Sequence, residues 1–175
     1  MTELLCDMKK IIVIGCPGSG KSTFSRALSA KSGIPLFHLD MMYWNGDKTT
    51  VSKELFLDRL EKVLRLDGWI VDGNYASTME MRLAACDTVF FLDYPEEVCL
   101  DGVRRRRGKP RDDMPWIENE EDAEFIEFIK GYNEKQRPCV LQLLEKYRDK
   151  DIFVFRKRAE ADDFLNRRSI NENKA

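Results

Sequence analysis

Short runs of apolar residues alternate along the chain with longer segments in which apolar residues recur every three or four positions. The short runs occupy residues 11–14, 35–39, 69–71, 88–92 and 152–155. A run of this length with no polar face is typical of a strand that is buried on both sides of a parallel sheet. The pattern therefore predicts five short parallel strands.

The segments between these runs have the periodicity of amphipathic helices. Helices are predicted over residues 22–32, 52–66, 78–85, 96–107 and 159–166. An apolar stripe from Phe125 to Tyr147 predicts either one long helix or two helices that join at Pro138. Residues 41–50, around an Asn45-Gly46 turn, and residues 108–116, with two prolines, are predicted loops. The polar tail at residues 167–175 is expected to fray.

Strands that alternate with helices predict a three-layer α/β fold, in which helices cover both faces of a parallel sheet. The 175 residues suit a single domain, residues 1–175, that buries a substantial core. Ligands of such sheets bind beyond the carboxyl ends of the strands. The residues that follow predicted strands at that edge are Gly15, Asp40, Asp72 and Asp93. The sequence therefore places a candidate binding site there.

A glycine-rich loop follows the first predicted strand directly. Residues 15–22, GCPGSGKS, match the phosphate-loop pattern G-x-x-x-x-G-K-S/T. The glycines allow positive φ, so successive backbone N–H groups can point toward phosphate oxygens, and the N-terminus of the next helix favours the same anion. The alternative is a glycine-rich turn without a ligand, but this pattern stands between a strand and a helix, as phosphate binding requires. We therefore predict an ATP site formed by Gly15, Pro17, Gly18, Ser19, Gly20, Lys21, Ser22 and Thr23.

Within this site, Lys21 is the predicted catalytic cation that reaches the β- and γ-phosphates, and the Ser22 hydroxyl is a predicted Mg²⁺ ligand. Asp72 closes an apolar strand. It is either a second Mg²⁺ ligand, directly or through water, or a turn residue before Gly73. His38, the only histidine, is predicted to be a core residue rather than a catalyst. The predicted cofactors are therefore ATP and Mg²⁺.

Candidate residues for an acceptor molecule follow the second and third strands. Asp40 is predicted to orient a substrate hydroxyl or a metal-bound water. The side chains of Trp44, Asn74 and Tyr75 either stack a base or line an acceptor pocket, or they pack under a loop. Arg82 is predicted to meet an acceptor phosphate from the helix that comes next. These five residues form the predicted substrate site.

Several arginines are candidates for stabilising a transferred phosphoryl group. Phosphoryl transfer spreads negative charge over the equatorial oxygens, and planar guanidinium groups bind such oxygens bidentately. The arginines at 104–107 cover every side of one helical turn, so at most two can face one ligand. The candidates are Arg106 or Arg107, Arg111 in the following loop, and Arg137 before Pro138. Of these, Arg106, Arg111 and Arg137 are the predicted catalytic residues, and a basic surface patch is the alternative.

Composition narrows the classes of partner. A net charge of −2 and a pI near 5.6 give no general attraction to nucleic acid or to an anionic membrane, so direct nucleic-acid binding is not expected. There is no apolar run of membrane-spanning length and no signal-peptide pattern. The five cysteines are scattered without C-x-x-C spacing, which is not typical of a zinc site or a disulfide framework. We therefore expect a cytoplasmic protein.

Six motifs carry a family resemblance: GCPGSGKST (15–23), HLDMMYW (38–44), WIVDGNY (69–75), FLDYP (91–95), the arginine run with KPRDDMP (109–115), and QRP (136–138). In this order they resemble the adenylate-kinase-like P-loop kinases and are especially similar to bacterial topology modulation proteins. The resemblance implies a P-loop NTPase sheet in strand order 2-3-1-4-5. It also implies a short lid at about 106–116, an acceptor-binding region at about 40–66, and phosphorylation of a small acceptor by a nucleoside triphosphate.

Two positions depart from the adenylate kinase pattern. Residues 72–76 read D-G-N-Y-A where adenylate kinases have D-G-F-P-R, so the arginine that meets an acceptor's phosphate is missing there. Gly102 stands where similar kinases usually have an arginine. The predicted function is a nucleoside or nucleotide type of small-molecule kinase. The alternatives are an ATP-binding regulatory protein that affects DNA topology with at most slow ATPase activity, and a structural assembly protein that binds no ATP.

Overall fold

The computed structural model of the protein describes residues 8–167. Its sheet contains the strands β1 (Lys10–Gly15), β2 (Leu36–His38), β3 (Trp69–Asp72), β4 (Thr88–Leu92) and β5 (Asp151–Phe155). All neighbouring strands are parallel, in the order β2-β3-β1-β4-β5. This confirms the predicted five-stranded sheet and its strand order.

Helices connect the strands and cover the sheet on both faces. In chain order they are α1 (Lys21–Ser32), α2 (Leu39–Tyr43), α3 (Lys53–Leu64), α4 (Ala76–Ala85), α5 (Glu96–Arg106), α6 (Ala123–Lys130), α7 (Tyr132–Lys135), α8 (Arg137–Lys146) and α9 (Arg158–Arg167). Within residues 8–167, no helix is both long and apolar enough to cross a membrane. The tail predicted at residues 167–175 lies outside the described residues, apart from Arg167 at the end of α9.

The two cores lie on opposite faces of β1. Ile11 and Val13 pack into one core with residues of α1, α5 and α9, whereas Ile12 and Ile14 pack into the other with residues of α3, α4 and α8. All four side chains are fully buried. Burial of one such side chain is worth about 1.5–3 kcal/mol. The apolar run thus fixes β1 between two layers and places Gly15 at the carboxyl edge of the sheet.

The region after β2 differs from the prediction. The strand ends at His38, and residues 39–43 form the short helix α2 instead of continuing the strand and then a loop. Leu39 is fully buried, and the backbone N–H of Trp44 donates to the carbonyl of Asp40 at 3.0 Å, which closes the helical turn. Asp40 therefore lies in the first turn of a helix, not at the end of a strand.

The apolar stripe between residues 125 and 147 is divided into three helices rather than one or two. The chain breaks at Gly131 and again at Gln136, and α8 begins at Arg137. Pro138 lies in the first turn of α8, where its missing N–H removes no helical hydrogen bond. Pro138 thus starts a helix instead of joining two. The helix predicted from residue 78 likewise starts earlier, at Ala76.

Candidate functional site

A wide cleft lies at the carboxyl edge of the sheet and has a volume of about 1750 Å³. Its walls come from the glycine-rich loop, α5, the connection between α5 and α6 (residues 107–122), and the connection between β5 and α9. Pockets for single small molecules measure roughly 300–1,000 Å³. The cleft therefore has room for a nucleotide and a second small molecule.

The glycine-rich loop has a backbone that only glycine tolerates at its tightest points. The φ angles of Gly18 and Gly20 are 83° and 95°, in the left-handed region that favours glycine. A Cβ at Gly18 would also lie 2.0 Å from the carbonyl oxygen of Cys99 in α5. The loop is therefore packed directly against α5.

Lys21 places its charge inside this loop. It is the first residue of α1, and its Nζ donates to the carbonyls of Gly15 at 2.9 Å and Cys16 at 3.1 Å. Burial lowers the pKa of Lys21, while the negative charge of Asp72 opposes that effect. The ammonium thus lies between the curved backbone and the end of β3.

Asp72 is held by a histidine on the neighbouring strand. Its Oδ1 lies 2.7 Å from Nδ1 of His38. Burial alone would lower the pKa of His38, but the hydrogen bond to Asp72 and the charge of Asp72 outweigh burial and raise it. The second carboxylate oxygen, Oδ2, is buried and has no hydrogen bond within residues 8–167. A buried, unpartnered oxygen is unfavourable unless another group satisfies it.

Asp113 is a buried carboxylate that the sequence interpretation did not single out. It belongs to the connection between α5 and α6, and Arg111 donates to it through Nε at 3.1 Å and Nη2 at 2.5 Å. Burial disfavours its charge, but hydrogen bonds from Arg111 and the Ser22 hydroxyl outweigh burial and hold the pKa of Asp113 well below its usual range. The connection is thus anchored to the start of α1.

The structure brings two of the three predicted catalytic arginines to the cleft. Arg106 and Arg111 both line it, and they share Glu118 at 2.8 Å and 3.0 Å. Arg137 is not among the lining residues. It instead forms a bidentate ion pair with Asp93, at 2.7 Å and 2.8 Å. This pairing holds Arg137 away from the cleft and corrects its predicted catalytic role.

The predicted acceptor residues Asp40, Trp44 and Tyr75 lie together on one wall of the cleft. The hydroxyl of Tyr75 donates to Oδ1 of Asp40 at 2.7 Å. Burial raises the pKa of Asp40 and also that of Tyr75. The indole of Trp44 meets Trp116 edge to face, with ring centroids 5.2 Å apart. Trp116 carries no specific sequence signal, and only the fold brings it to this wall.

Asn74 also lines the cleft, but its amide is used by the glycine-rich loop. The N–H of Gly15 donates to Oδ1 of Asn74 at 3.0 Å, and Nδ2 of Asn74 donates to the carbonyl of Gly15 at 2.7 Å. A side chain with both of its polar ends bonded in this way positions the loop. The amide of Asn74, which was predicted to bind substrate, is therefore engaged by Gly15.

Arg82 does not reach the cleft. Its side chain is fully buried, and its guanidinium donates to the carbonyls of Gly73, Asn74 and Tyr75. Burial lowers the pKa of Arg82 to about 10. The prediction that Arg82 meets an acceptor phosphate is therefore wrong. The residue instead holds the backbone of the segment that carries Asn74 and Tyr75.

Arg158 is a second residue that the sequence interpretation missed. It begins α9, and its guanidinium donates to the carbonyls of Gly18 at 3.2 Å, Ser19 at 3.3 Å and Val98 at 3.3 Å. A Cβ at Gly102 would lie 2.0 Å from the carbonyl oxygen of Gly18. The unusual glycine at position 102 thus has a structural explanation, because α5 and Arg158 together clamp the glycine-rich loop.

A parallel sheet in this order, with a glycine-rich loop and lysine between its central strand and α1, defines a P-loop NTPase with a kinase-like fold. The chain belongs to the AAA domain family AAA_18, whose model matches residues 11–127. No curated protein matches the sequence significantly.

Solved structures show the same fold. Shikimate kinase from Acinetobacter baumannii, in complex with shikimate, has a TM-score of 0.62 at 16% identity, over 99% of both chains. Shikimate kinase from Bacteroides thetaiotaomicron has a TM-score of 0.56 at 20% identity, over 94% of this chain and 99% of that one. Deoxyadenosine kinase from M. mycoides, with bound dATP, has a TM-score of 0.53 at 18% identity, over 92% and 98%.

Proposed function

We propose that this protein is a cytoplasmic, ATP- and Mg²⁺-dependent kinase that transfers a phosphoryl group to a small-molecule acceptor of the nucleoside or nucleotide kinase type. The observation that carries the proposal is the position of Lys21, whose ammonium lies within the glycine-rich loop and beside the buried Asp72. The fold similarity to P-loop kinases supports the same class of reaction.

The triphosphate would bind along residues 15–23. The cap of α1 is Gly20, whose position offers no side-chain hydrogen bond to the helix, and the first turn of α1 contains no acidic residue. The free N–H groups at that end are therefore available to an anion, and the helix dipole favours one. Lys21 would contact the β- and γ-phosphates.

The donor set at the end of β3 fits a magnesium ion. Asp72 Oδ2 is a buried carboxylate oxygen without a hydrogen-bond partner among the described residues, and Mg²⁺ prefers such oxygen ligands. Asp72 and the hydroxyl of Ser22 would hold the ion, with His38 fixing the orientation of the Asp72 carboxylate. When bound, Mg²⁺ neutralises negative charge on the phosphates.

The remaining roles follow from the two walls of the cleft. The connection at about 106–116 would act as the lid, with Arg106 and Arg111 exchanging Glu118 for oxygens of the transferring group. The region at about 40–66 would hold the acceptor, whose hydroxyl donates to Asp40. As the acceptor oxygen bonds to the γ-phosphorus, the bond to the β–γ bridging oxygen breaks, and the hydroxyl proton passes to Asp40.

The test is a comparison of wild-type protein with the Lys21→Ala variant. We expect that ATP with Mg²⁺ raises the melting temperature of the wild type but not of the variant, and that acceptor-stimulated ADP release is lost in the variant. Lys130→Ala is the control, because Lys130 is an exposed lysine of α6 that does not line the cleft. Wild-type turnover by Lys21→Ala would overturn the mechanism.

A second candidate is an ATP-binding regulatory protein that affects DNA topology, as the resemblance to topology modulation proteins implies. One observation favours it: Arg106 and Arg111 are both engaged by carboxylates of their own connection, Asp113 and Glu118, which is compatible with slow turnover. This candidate predicts slow ATP hydrolysis that no acceptor stimulates. The same ADP-release assay distinguishes the two functions.

A further inference from the structure

The acceptor wall of the cleft, formed by Asp40, Trp44, Tyr75 and Trp116, indicates the chemistry of the acceptor. We propose that the acceptor is an uncharged cyclic alcohol, as nucleosides and sugars are, and that the wall selects against molecules which already carry a phosphate or carboxylate. This inference rests on the proposed function and narrows its substrate class.

The first argument is that the cations close to this wall already have partners. Arg82 is fully buried and donates hydrogen bonds to three backbone carbonyls. Nη1 of Arg59 donates to the carbonyl of Met42 at 2.7 Å. Arg111 is paired with Asp113 and Glu118. An anionic acceptor would have to compete with the transferring phosphoryl group for Arg111, or take Arg59 or Arg82 from its backbone carbonyls. The second choice leaves buried polar groups unsatisfied, which costs about 1–3 kcal/mol.

Two more cations lie near the wall, and neither forms a buried anion site. Arg26 lies 3.7 Å from the carboxylate of Asp113. Lys48 lines the cleft but is exposed, and exposed ion pairs contribute only about 0–1 kcal/mol. The charges of Asp72 and Arg111 both act on the pKa of Asp40. The charges of Asp113 and Asp40 both act on the pKa of Arg111. Lys21 also acts on the pKa of Asp40, but the proposed mechanism uses Lys21 for the triphosphate. An anion on this wall would therefore face acidic side chains without a desolvated cation reserved for it.

The second argument concerns the hydroxyl. Tyr75 occupies only Oδ1 of Asp40. Oδ2 of Asp40 accepts no hydrogen bond from residues 8–167, although Asp40 lines the cleft. A donor from the acceptor would complete the bonding of this carboxylate, and an alcohol supplies such a donor without adding charge.

The third argument concerns the ring. Trp44 and Trp116 both line the cleft and touch edge to face, so each indole is fixed by the other. Aromatic side chains bind planar bases by stacking, at about 1–3 kcal/mol per base, and they also cover the apolar faces of sugars. The wall thus combines a hydroxyl acceptor with flat apolar surfaces.

The experiment measures kcat/KM for ADP release with saturating ATP and Mg²⁺. The acceptors are nucleosides, neutral sugars, the 5′-monophosphates of the same nucleosides, and hydroxy acids such as shikimate. We expect kcat/KM for a nucleoside or a sugar to exceed that for its own phosphorylated form at least 100-fold. Comparison of the nucleosides with the neutral sugars then shows which of the two classes is the acceptor. A preference for a monophosphate or a hydroxy acid would overturn this inference while leaving the kinase function intact. Stimulation by no acceptor would overturn both.

Variants distinguish effects on acceptor binding at this wall from effects on ATP binding. We expect Trp116→Ala to raise the acceptor KM about tenfold, Trp116→Phe to restore most of the loss, and neither change to alter ATP affinity measured by calorimetry. Lys48→Ala tests whether this exposed lysine of the cleft binds an anion. The control is Lys130→Ala, which changes an exposed lysine that does not line the cleft, and we expect it to leave kcat/KM for the neutral acceptor unchanged. If Lys48→Ala instead removed activity toward a monophosphate that the wild type prefers, Lys48 would be an anion site and the proposal would be wrong.

Discussion

The guanidinium of Arg158 donates a hydrogen bond to the carbonyl oxygen of Gly18 at 3.2 Å, although the two residues are 140 positions apart in the chain. The same group binds the carbonyl of Val98 in α5. A glycine-rich loop has few side chains with which to fix its own shape. The conformation of this loop therefore depends on contacts that the last helix and α5 supply.

Replacement of Arg158 by alanine is expected to weaken ATP binding about tenfold, which corresponds to about 1.4 kcal/mol. The reason is that the carbonyls of Gly18 and Ser19 lose their external donor, so that part of the binding energy must order the loop. Titration calorimetry with ATP and Mg²⁺ measures the effect. Arg148→Ala removes an exposed arginine that pairs with Glu145 and serves as the control. Equal affinities for the two variants would contradict the clamp.

Gly102→Ala is expected to destabilise the protein by about 1–3 kcal/mol, the range for added methyl groups in packed sites. Its Cβ would lie 2.0 Å from the carbonyl oxygen of Gly18, so α5 and the loop must move apart. Urea denaturation gives the free energy of unfolding. Gly46→Ala is the matched control, because its Cβ would lie 3.6 Å from the nearest atom, an ordinary contact. If both variants unfold at the urea midpoint of the wild type, α5 does not pack tightly against the glycine-rich loop.

Arg82→Met is expected to lower the free energy of unfolding by about 3 kcal/mol or more, because carbonyls of the segment 73–75 lose a charged donor in a buried site. Arg65→Ala, which removes an exposed arginine, is expected to have almost no effect. Urea denaturation again provides the measurement. If Arg82→Met had normal stability and a raised KM for the acceptor, Arg82 would contact the substrate, and its structural role would be contradicted.

Asp113→Asn is expected to cost about 2 kcal/mol at pH 7, since the carboxylate accepts charged hydrogen bonds from Arg111. The folded-state pKa of Asp113 is depressed, so the stability it contributes is fully present above the ordinary pKa of about 3.9 and is lost as the pH falls toward the folded-state value. The difference between wild type and variant should narrow as the pH falls below 4, where Asp113 becomes protonated. Asp112→Asn is the control, because Asp112 is the exposed residue that precedes Asp113. A difference that does not depend on pH would exclude a charged Asp113.

Features encoded by local patterns could be predicted from the sequence. The run 11–14 contains only apolar residues, so the sequence alone predicts β1, and all four side chains are buried in the structure. The glycine-rich loop could be predicted because consecutive residues form its pattern. The helix α2 has five residues, too few for apolar periodicity to be seen, so Asp40 was expected at the end of a strand. Its position next to Tyr75 depends on that helix.

The errors at Arg82 and Arg137 have a different origin. Arg82 lies within α4 and Arg137 begins α8. Nothing in the local sequence distinguishes a guanidinium that faces a ligand from one that holds the backbone or pairs with Asp93. Tyr75 has a φ of 34°, which is uncommon for a residue with a side chain, and its carbonyl accepts a hydrogen bond from Arg82. Arg158 was missed because the carbonyls that it binds lie far away in the chain. Asp113 pairs with the nearby Arg111, but only the fold brings it close to Arg26 of α1.

The edge-to-face contact between Trp44 and Trp116 gives the protein an intrinsic optical reporter. The chain has three tryptophans, and the third, Trp69, is fully buried in β3. Emission from Trp69 therefore forms a constant background, whereas the other two indoles join the segment after β2 to the connection after α5. Any separation of these segments changes the surroundings of both rings at once, so steady-state emission and stopped-flow traces can follow the opening of the cleft without an added dye.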